Sequence, residues 1–352
     1  MRSMNEATYY TYLKELMAID SATGHYHEIQ DYLLRKAAEL GYRTETYHKG
    51  GVLVDLGGEG NGLVVSAHVD DIGLMVRHIN ADGTLKVCKV GGLYAYHAER
   101  ENVRIYTSSG RVLTGVLQRD FSSVHVTPDD KFNEKADFDR NVFVLLDEDV
   151  HSAEDVRALG IEVGDFVELE PRLTFSNGYL KSHFLDDKAQ AAILLYLMDE
   201  FAREKPALSR KVWLIFGMYE EIGHGTTILP EGTKDYVAVD IACVGPEQTS
   251  SEKKVSIFCK DSRFPYHIDM VRELEMAARE AGAAWVKDIF TPHYGTDADP
   301  ALAAGYDIRH GAIGPGVVAS HGYERSHIEG MQNTYRLLYQ FITVKTPGSK
   351  PV

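Results

Sequence analysis

Imidazole and carboxylate side chains recur just beyond short apolar stretches of this sequence. The positions are His68 with Asp70, Asp186, Glu220 with Glu221, Asp240, and the late histidines His321 and His327. Open α/β sheets bind ligands in a crevice outside the carboxyl ends of their strands, so we expect these side chains to converge there. Histidine and carboxylate ligands without thiolates suit a pair of divalent ions (Zn, Co or Mn) better than a structural zinc.

The His68–Asp70 spacing is a pattern that is common by chance, and the aspartate pair at 186–187 has a structural alternative. In an extended segment, residues two apart point the same way, so Asp70 can contact the far ring nitrogen of His68 and fix its orientation. Asp186 and Asp187 open a predicted helix, where an aspartate commonly caps free backbone amides. Two consecutive aspartates exceed what a cap requires, so the functional interpretation is that Asp186 binds metal and Asp187 supports it or caps the helix.

The adjacent glutamates Glu220 and Glu221 lie shortly after the apolar run 212–216. Successive side chains diverge in extended backbone, so a natural division is one metal ligand and one proton carrier. Two solvated loop glutamates are the alternative. Asp240 is flanked by apolar residues in a predicted strand and must be liganded or paired in a salt bridge. For His321 and His327, the alternative is a surface histidine.

The surrounding sequence predicts the elements that position these residues. Helical periodicity covers 9–17, 26–40, 187–203 and 270–281, and buried strands are predicted at 63–67, 212–216 and 236–240. Strands alternating with helices imply an α/β fold with a largely parallel sheet covered on both faces. Between 76 and 173, short alternating segments broken by glycine predict a small antiparallel β-barrel or sandwich. We therefore expect a catalytic domain formed by 1–75 and 174–352, with an inserted β domain at 76–173.

Composition narrows the classes of partner. Of 352 residues, 52 are acidic and 37 basic, a formal charge of −15 that repels nucleic acid and anionic membranes. The three cysteines are widely spaced, which argues against a disulfide framework and favours a reducing cytoplasm. The sequence has no apolar run of transmembrane length and no signal-peptide pattern. We expect residues 346–352 to form a loose tail.

Taken together, the motifs resemble those of the glutamyl and deblocking aminopeptidases, the tetrahedral aminopeptidase family, some members of which carry a cellulase label. The segment SAHVDDIGLMV at 66–76 looks like the family's AHxDEIGxMV, and LDDK at 185–188 looks like LDDR. YEEIG at 219–223 is similar to QEEVG, AVD at 238–240 to the A-x-D strand, and GTDA at 295–298 to GTDA. The resemblance covers nearly the whole chain, and the order of the motifs makes it specific.

The resemblance implies a ligand set for two metals. His68 and Asp240 bind the first ion, Glu221 and a late histidine bind the second, and Asp186 bridges both. The family's late RYxHSP motif becomes SHGYERSH at 320–327 in this chain. Counting back from the shared Asn-Thr pair at 333–334 places the ligand at His321. His327 falls out of register and is the alternative ligand, or a contact to substrate or to a neighbouring subunit.

The resemblance also implies an activity: a cytoplasmic aminopeptidase that cuts short peptides with a water activated by two metals. Glu220 is then the general base and Asp70 orients His68. The β domain helps to build an oligomer, whose size ranges from smaller forms to a dodecameric shell. The chain departs from the family at Lys188, where Arg is usual, and at Tyr219, where Gln is usual.

Three other functions fit parts of the pattern. A deacylase of N-acylated amino acids would use the same metal pair. A glycosidase would need two carboxyls facing each other across roughly 5–9.5 Å, which adjacent diverging glutamates do not provide. A shell-forming binding protein with a degenerate site would not need every ligand type and the base to be intact.

Overall fold

The computed structural model describes residues 2–344, and the predicted tail at 346–352 lies outside them. Helices and strands alternate along much of the chain. The helices are α1 (Glu6–Met17), α2 (His27–Glu39), α3 (Ala95–Ala98), α4 (Ala153–Ala158), α5 (Leu185–Glu204), α6 (Ile268–Glu280), α7 (Ala298–Ala303) and α8 (Ile328–Thr343). None of the helices in the described part of the chain is long and apolar enough to cross a membrane.

The strands form a large sheet, a barrel and a small third sheet. They are β1 (Arg43–Thr46), β2 (Val52–Gly57), β3 (Gly62–His68), β4 (Gly73–Ile79), β5 (Leu85–Val90), β6 (Asn102–Tyr106), β7 (Val112–Arg119), β8 (Val142–Leu146), β9 (Phe166–Leu169), β10 (Thr174–Ser176), β11 (Tyr179–Ser182), β12 (Lys211–Gly217), β13 (Thr233–Val239), β14 (Ala242–Cys243), β15 (Val255–Lys260), β16 (Trp285–Ile289), β17 (Arg309–Val317) and β18 (Glu324–His327).

The large sheet has the order β1-β2-β12-β3-β13-β17-β15-β16, with β14 paired to β17. Its four central neighbours, β12, β3, β13 and β17, are parallel. Antiparallel pairing appears towards the edges, between β2 and β12 and between β15 and β17. Every residue of β3 is buried, so both faces of the sheet centre are covered. The predicted α/β fold with a mostly parallel sheet is confirmed.

The β-rich segment closes into a barrel of order β4-β5-β8-β7-β6-β9, between Gly73 and Leu169. Pairing of Leu74 with Val167 joins the first barrel strand to the last. The barrel side chains Val76, Val87, Ile105 and Leu117 are almost fully buried, which gives the barrel a filled interior. A barrel, rather than a sandwich, is thus the form that this segment takes.

Polar contacts fasten the barrel to the large sheet's domain. Arg104 and Tyr106 of β6 both hydrogen-bond the carboxylate of Asp20, with the Tyr106 hydroxyl at 2.5 Å. Glu168 of β9 accepts from the Ala22 amide at 3.0 Å and lies 2.5 Å from Nδ1 of His25. These contacts fix the position of the barrel beside the carboxyl edge of the sheet.

Candidate metal centre

Four adjacent parallel strands lead to most of the predicted site residues. His68 is the last residue of β3, and Asp240 directly follows β13. Glu220 and Glu221 begin a short 3-10 turn just after β12, and His321 follows β17. The four strands are neighbours in the sheet, so their carboxyl ends deliver these side chains to one crevice.

Asp186 enters the same crevice from a different element. It follows β11 of the small sheet and opens α5, so it comes from outside the large sheet and from the start of a helix, where the sequence predicted it. Its Oδ1 lies 3.2 Å from Nε2 of His68, and its Oδ2 lies 3.5 Å from Nε2 of His321. The two carboxylate oxygens therefore face two different histidines, the arrangement expected of a carboxylate shared by two ions.

The remaining predicted ligands complete two overlapping groups. Oε2 of Glu221 lies 3.4 Å from Nε2 of His321. Ligand atoms of His68, Asp186 and Glu221 lie within 4.8 Å of one another, as do those of Asp186, Asp187 and Asp240. The structure thus brings His68, Asp186, Glu221, Asp240 and His321 together, with Asp186 common to both groups.

The donor set fits divalent cations. Among residues 2–344, the ion-pair partners of Asp186 and Glu221 are histidines, and no Lys or Arg pairs with either. Burial, reinforced by neighbouring Asp186, raises the pKa of Glu221 to about 8 and that of Asp240 to about 7. Buried carboxylates packed this closely are stable as anions only beside positive charge, which two divalent ions would supply.

Glu220 and Glu221 face different partners, as diverging neighbours should. Whereas Glu221 faces His321, Oε2 of Glu220 lies 3.7 Å from Nε2 of His68. Burial raises the pKa of Glu220 well above its usual range; Asp240 and Glu221 add to the rise and His68 opposes it. A raised pKa makes a carboxylate a better proton acceptor, which suits the predicted role of base.

Asp70 supports the site by a slightly different contact from the one expected. Nδ1 of His68 lies 3.0 Å from the backbone carbonyl oxygen of Asp70 and 3.6 Å from its carboxylate. The carboxylate instead accepts from the Thr23 hydroxyl at 2.6 Å and from the backbone amides of Glu220 and Glu221 at 3.2 and 3.3 Å. Asp70 thereby holds both His68 and the turn that carries the two glutamates.

The two late histidines lie in different surroundings. Nδ1 of His321 lies 3.3 Å from the carbonyl oxygen of Gly92 in the barrel, while its Nε2 faces the carboxylates. His327 caps α8, because its Nδ1 accepts from the Glu329 amide at 3.1 Å, and its ring packs edge-on against Tyr179. The geometry favours His321 as the ligand and gives His327 a structural task.

Sequence reasoning assigned no role to two buried acids that organise this region. Glu324 accepts from the backbone amides of Asp186 and His321, at 3.1 and 3.0 Å, and so holds two ligand segments with one carboxylate. Asp297 accepts from the Thr226 amide at 3.1 Å and lies against Gly217 and Gly225. The GTDA motif contains Asp297 and could have marked it, whereas no local pattern marks Glu324.

Other sequence features have clear structural counterparts. Lys188, which stands where the resembling family has Arg, is buried and pairs with Asp71 at 2.5 Å. It also donates to the carbonyl of Ile19 at 2.7 Å. Asp187 accepts a hydrogen bond from the backbone amide of His68 at 3.1 Å. It therefore supports the site, which is one of the two roles that the sequence suggested for it.

A cleft of about 640 Å³ opens over the candidate metal centre. Its lining includes Asp186, Glu220, Glu221, Asp240 and His321. The barrel contributes Tyr94, Tyr96 and His97 to one wall, and the 292–300 segment forms another. This volume suits a short extended ligand.

The chain is similar to known peptidases in sequence and in fold. Residues 50–337 match the family described as M42 glutamyl aminopeptidase. The putative aminopeptidase YhfE of Bacillus subtilis is 39% identical over 334 residues, 94% of this chain and 96% of that protein. A lysyl aminopeptidase of Pyrococcus furiosus is 27% identical over 60% of this chain and 59% of its own length. The TET1 peptidase of Pyrococcus horikoshii has a similar fold, with a TM-score of 0.84 and 20% sequence identity. The match covers 96% of this chain and 100% of that one, and the peptidase can assemble into a tetrahedron or a large octahedral shell.

Proposed function

The chain belongs to the M42 glutamyl aminopeptidase family and is a hydrolase of peptide bonds, and we propose that it removes N-terminal residues from short peptides with two divalent cations. His68 and Asp240 would hold one ion and Glu221 and His321 the other, with Asp186 shared. The distances from Asp186 to the two histidines support its sharing, and the contact between Glu221 and His321 supports their place at one ion. A donor set of imidazoles and carboxylates without thiolates suits Zn or Co, with Mn as a third candidate.

The proposed chemistry divides between the cations and the chain. When bound, the two cations lower the pKa of a water and polarise the scissile carbonyl. Glu220, on the cleft side of His68, accepts the proton from that water and returns it to the leaving amine. Asp70 keeps Glu220 and His68 in register, and the Gly92 carbonyl fixes the tautomer of His321.

The arrangement disfavours the other enzyme classes. Glu220 faces His68 and Glu221 faces His321, so the two carboxyl groups do not face each other. They therefore do not form the pair of opposed carboxyl groups that a glycosidase needs. An acyl group in place of the free amine would face the same buried carboxylates without offering them a positive charge. The N-terminal ammonium of a peptide offers that charge, which favours an aminopeptidase over a deacylase.

We propose that 1–75 and 174–352 form the catalytic domain and that 76–173, together with the start of the first barrel strand at Gly73, forms an inserted domain that takes part in self-association and limits access to the cleft. Support comes from Tyr94 and Tyr96, which the barrel contributes to the cleft wall. The tetrahedral and octahedral shells that the Pyrococcus horikoshii relative can form support self-association, and we propose a dodecameric shell as one form of it. We propose the cytoplasm as the location.

The single observation that carries the proposal is the position of Asp186 between His68 and His321. Its test combines metal analysis with aminoacyl reporter substrates. Purified protein should bind two equivalents of Zn or Co. It should hydrolyse reporter substrates with a free N-terminal amine only when metal is present, and it should leave N-acetylated reporter substrates intact. Activity that survives complete chelation, or a preference for N-acetylated substrates, would overturn it.

A further inference from the structure

Asp299 is a buried acid on the cleft wall that the proposed mechanism does not use. It lies near the start of α7, and its side chain is almost fully buried with a relative exposure of 1%. Neither of its carboxylate oxygens has a hydrogen-bond partner among the described residues. Asp299 nevertheless lines the same cleft as the metal-centre residues, together with Thr296 and Tyr294.

A second buried acid stands beside it. Asp261 is fully buried, and its Oδ1 accepts from the amides of Arg263 and Phe264 at 2.7 and 2.8 Å. Its Oδ2 has no donor within 2–344, and its carboxyl group contacts that of Asp299, whose pKa Asp261 helps to raise. Three oxygens of this pair of carboxylates therefore have no hydrogen-bond partner among the described residues, whereas most buried polar atoms in proteins have one.

No cation of the described chain satisfies this pair. Neither acid forms an ion pair within 4.0 Å with a Lys or Arg of residues 2–344, although Lys188 and Arg309 do so with other buried acids. Arg263 lines the cleft nearby, but its side chain is exposed to solvent. Leaving buried carboxylates without donors costs free energy, so such a cluster beside an active site indicates a ligand that brings the donors.

We propose that Asp299, backed by Asp261, is the side-chain pocket of the substrate cleft and selects an N-terminal residue with a positive charge, lysine or arginine. This inference rests on the proposed aminopeptidase function, because it takes the centre around Asp186 to be the point of cleavage. The ring of Tyr294 borders the same cleft, and its hydroxyl donates to the carbonyl of Ile241, next to the ligand Asp240, at 2.5 Å. The aliphatic stem of a lysine can pack along this wall while its ammonium reaches Asp299.

Family membership leaves the side-chain preference open, since the family description names glutamyl residues and one relative is named for lysyl residues. Arg263 suggests the opposite preference, for an acidic side chain. Such a side chain would place a third carboxylate beside Asp299 and Asp261, whereas a cationic one neutralises the pair. Burial and Asp261 raise the pKa of Asp299 to about 8, so without a cationic ligand the two acids hold a proton that a lysine side chain would displace.

The experiment uses the full-length, metal-loaded enzyme with aminoacyl reporters that differ only in side-chain charge. Lysyl and norleucyl reporters have the same chain length with and without the ammonium, and a glutamyl reporter tests the role of Arg263. Asp299→Asn and Asp261→Asn remove the pocket charges with little change of shape. Asp307→Asn is the matched control, because Asp307 is an exposed acid in the loop after the same helix and does not line the cleft.

We expect kcat/KM for the lysyl reporter to exceed that for norleucyl by at least about tenfold in the wild type. Asp299→Asn should bring this ratio down to about one, whereas Asp307→Asn should leave both the ratio and the norleucyl turnover unchanged. Asp261→Asn should also reduce the lysyl-to-norleucyl ratio. It provides the test of the pocket if Asp299→Asn fails to fold. A wild-type preference for norleucyl or glutamyl reporters, or a lysyl preference that persists in both pocket variants, would overturn the proposal.

A binding measurement separates this inference from the proposed function. Calorimetric titration of Glu220→Gln protein with free lysine and free norleucine reports the pocket without turnover. If lysine binds more tightly but no reporter is hydrolysed by the wild type, the aminopeptidase proposal fails while the pocket assignment stands. If reporters are hydrolysed and lysine binds no better than norleucine, the function stands and the pocket assignment fails.

Discussion

At the scale of single residues, the chemistry depends on which way each acid faces. Glu220 and Glu221 are neighbours in the chain, yet one lies beside His68 and the other beside His321. The alternation of side chains predicts this divergence from sequence alone. It does not predict which glutamate meets which histidine, because that depends on Asp70, which fixes the turn through the backbone amides of both glutamates.

Glu220→Gln should therefore stop turnover without emptying the metal centre. Glutamine keeps the shape of the side chain but cannot accept the proton, so we expect kcat to fall by about 10²–10⁴-fold. Metal content measured by atomic emission should remain two equivalents. Glu221→Gln is the contrasting variant and should lose metal. A Glu220→Gln enzyme that keeps a substantial part of its activity would exclude this residue as the base.

The two late histidines can be told apart in the same way. His321→Ala removes an imidazole that faces Asp186 and Glu221, so we expect it to lose about one equivalent of metal and its activity. His327→Asn keeps a side chain able to cap α8 and should retain both metals and turnover. Equilibrium dialysis against Zn checks both variants. Metal loss in His327→Asn but not in His321→Ala would reverse the assignment.

At the scale of elements, the site is assembled by a sheet edge, a helix start and a barrel loop. The strand-end pattern predicts the contributions of β3, β12 and β13, and the predicted α/β rhythm is confirmed. Asp186 was harder to place, because β11 belongs to a small sheet with β10 and β18. Glu324 lies at the start of β18, and its contacts with the Asp186 and His321 amides join segments more than one hundred residues apart, which no local pattern records.

The barrel loop makes the most direct of these contacts between elements. Gly92 packs so closely on His321 that a Cβ added to it would lie 2.5 Å from Nδ1 of the ring. Gly92→Ala should therefore turn the imidazole away from its ligand position while the barrel remains folded. Because partners that orient a ligand typically contribute 10–100-fold to metal affinity, we expect a weakening of about that size for one of the two ions.

Isothermal titration of metal-free protein with Zn tests this expectation, with circular dichroism to confirm folding. Gly245→Ala is the control, since its added Cβ would meet only the flexible end of Gln248, at 3.0 Å. Unchanged affinity for both ions in Gly92→Ala would show that the barrel loop does not position His321.

At the scale of the whole molecule, composition and periodicity predict the fold class but not how the parts close. The choice between barrel and sandwich depends on the pairing of β4 with β9, whose paired residues Leu74 and Val167 are far apart in the chain. The pocket acids show the same limit. Asp261 follows β15 and Asp299 lies in α7, so the two become neighbours only in the folded chain and their spacing in the sequence carries no signal.

The folded molecule also buries a histidine whose charge state should control its acid stability. His310 of β17 is buried beside Tyr266, and its Nε2 lacks a hydrogen-bond partner among the described residues. Burial lowers the pKa of His310 from 6.5 to about 4; Asp261 opposes this shift and His267 adds to it. The unfolded chain therefore binds a proton at higher pH than the folded one, and the stability contributed by neutral His310 is complete above pH 6.5 and lost as the pH falls towards 4.

His310→Gln removes this titration, so its thermal midpoint should fall less between pH 7 and pH 4.5 than that of the wild type, by about 2–4 °C. His151→Gln, at a histidine whose side chain is 84% exposed, should follow the wild-type curve. Differential scanning calorimetry of metal-loaded protein in matched buffers measures both slopes. Carboxylates at the metal centre also take up protons on acidification, but all three proteins share them, and only the difference between curves reports His310. Parallel curves for the wild type and His310→Gln would mean that the protonated imidazole finds compensation at this site, and Asp261 is the nearby anion able to provide it.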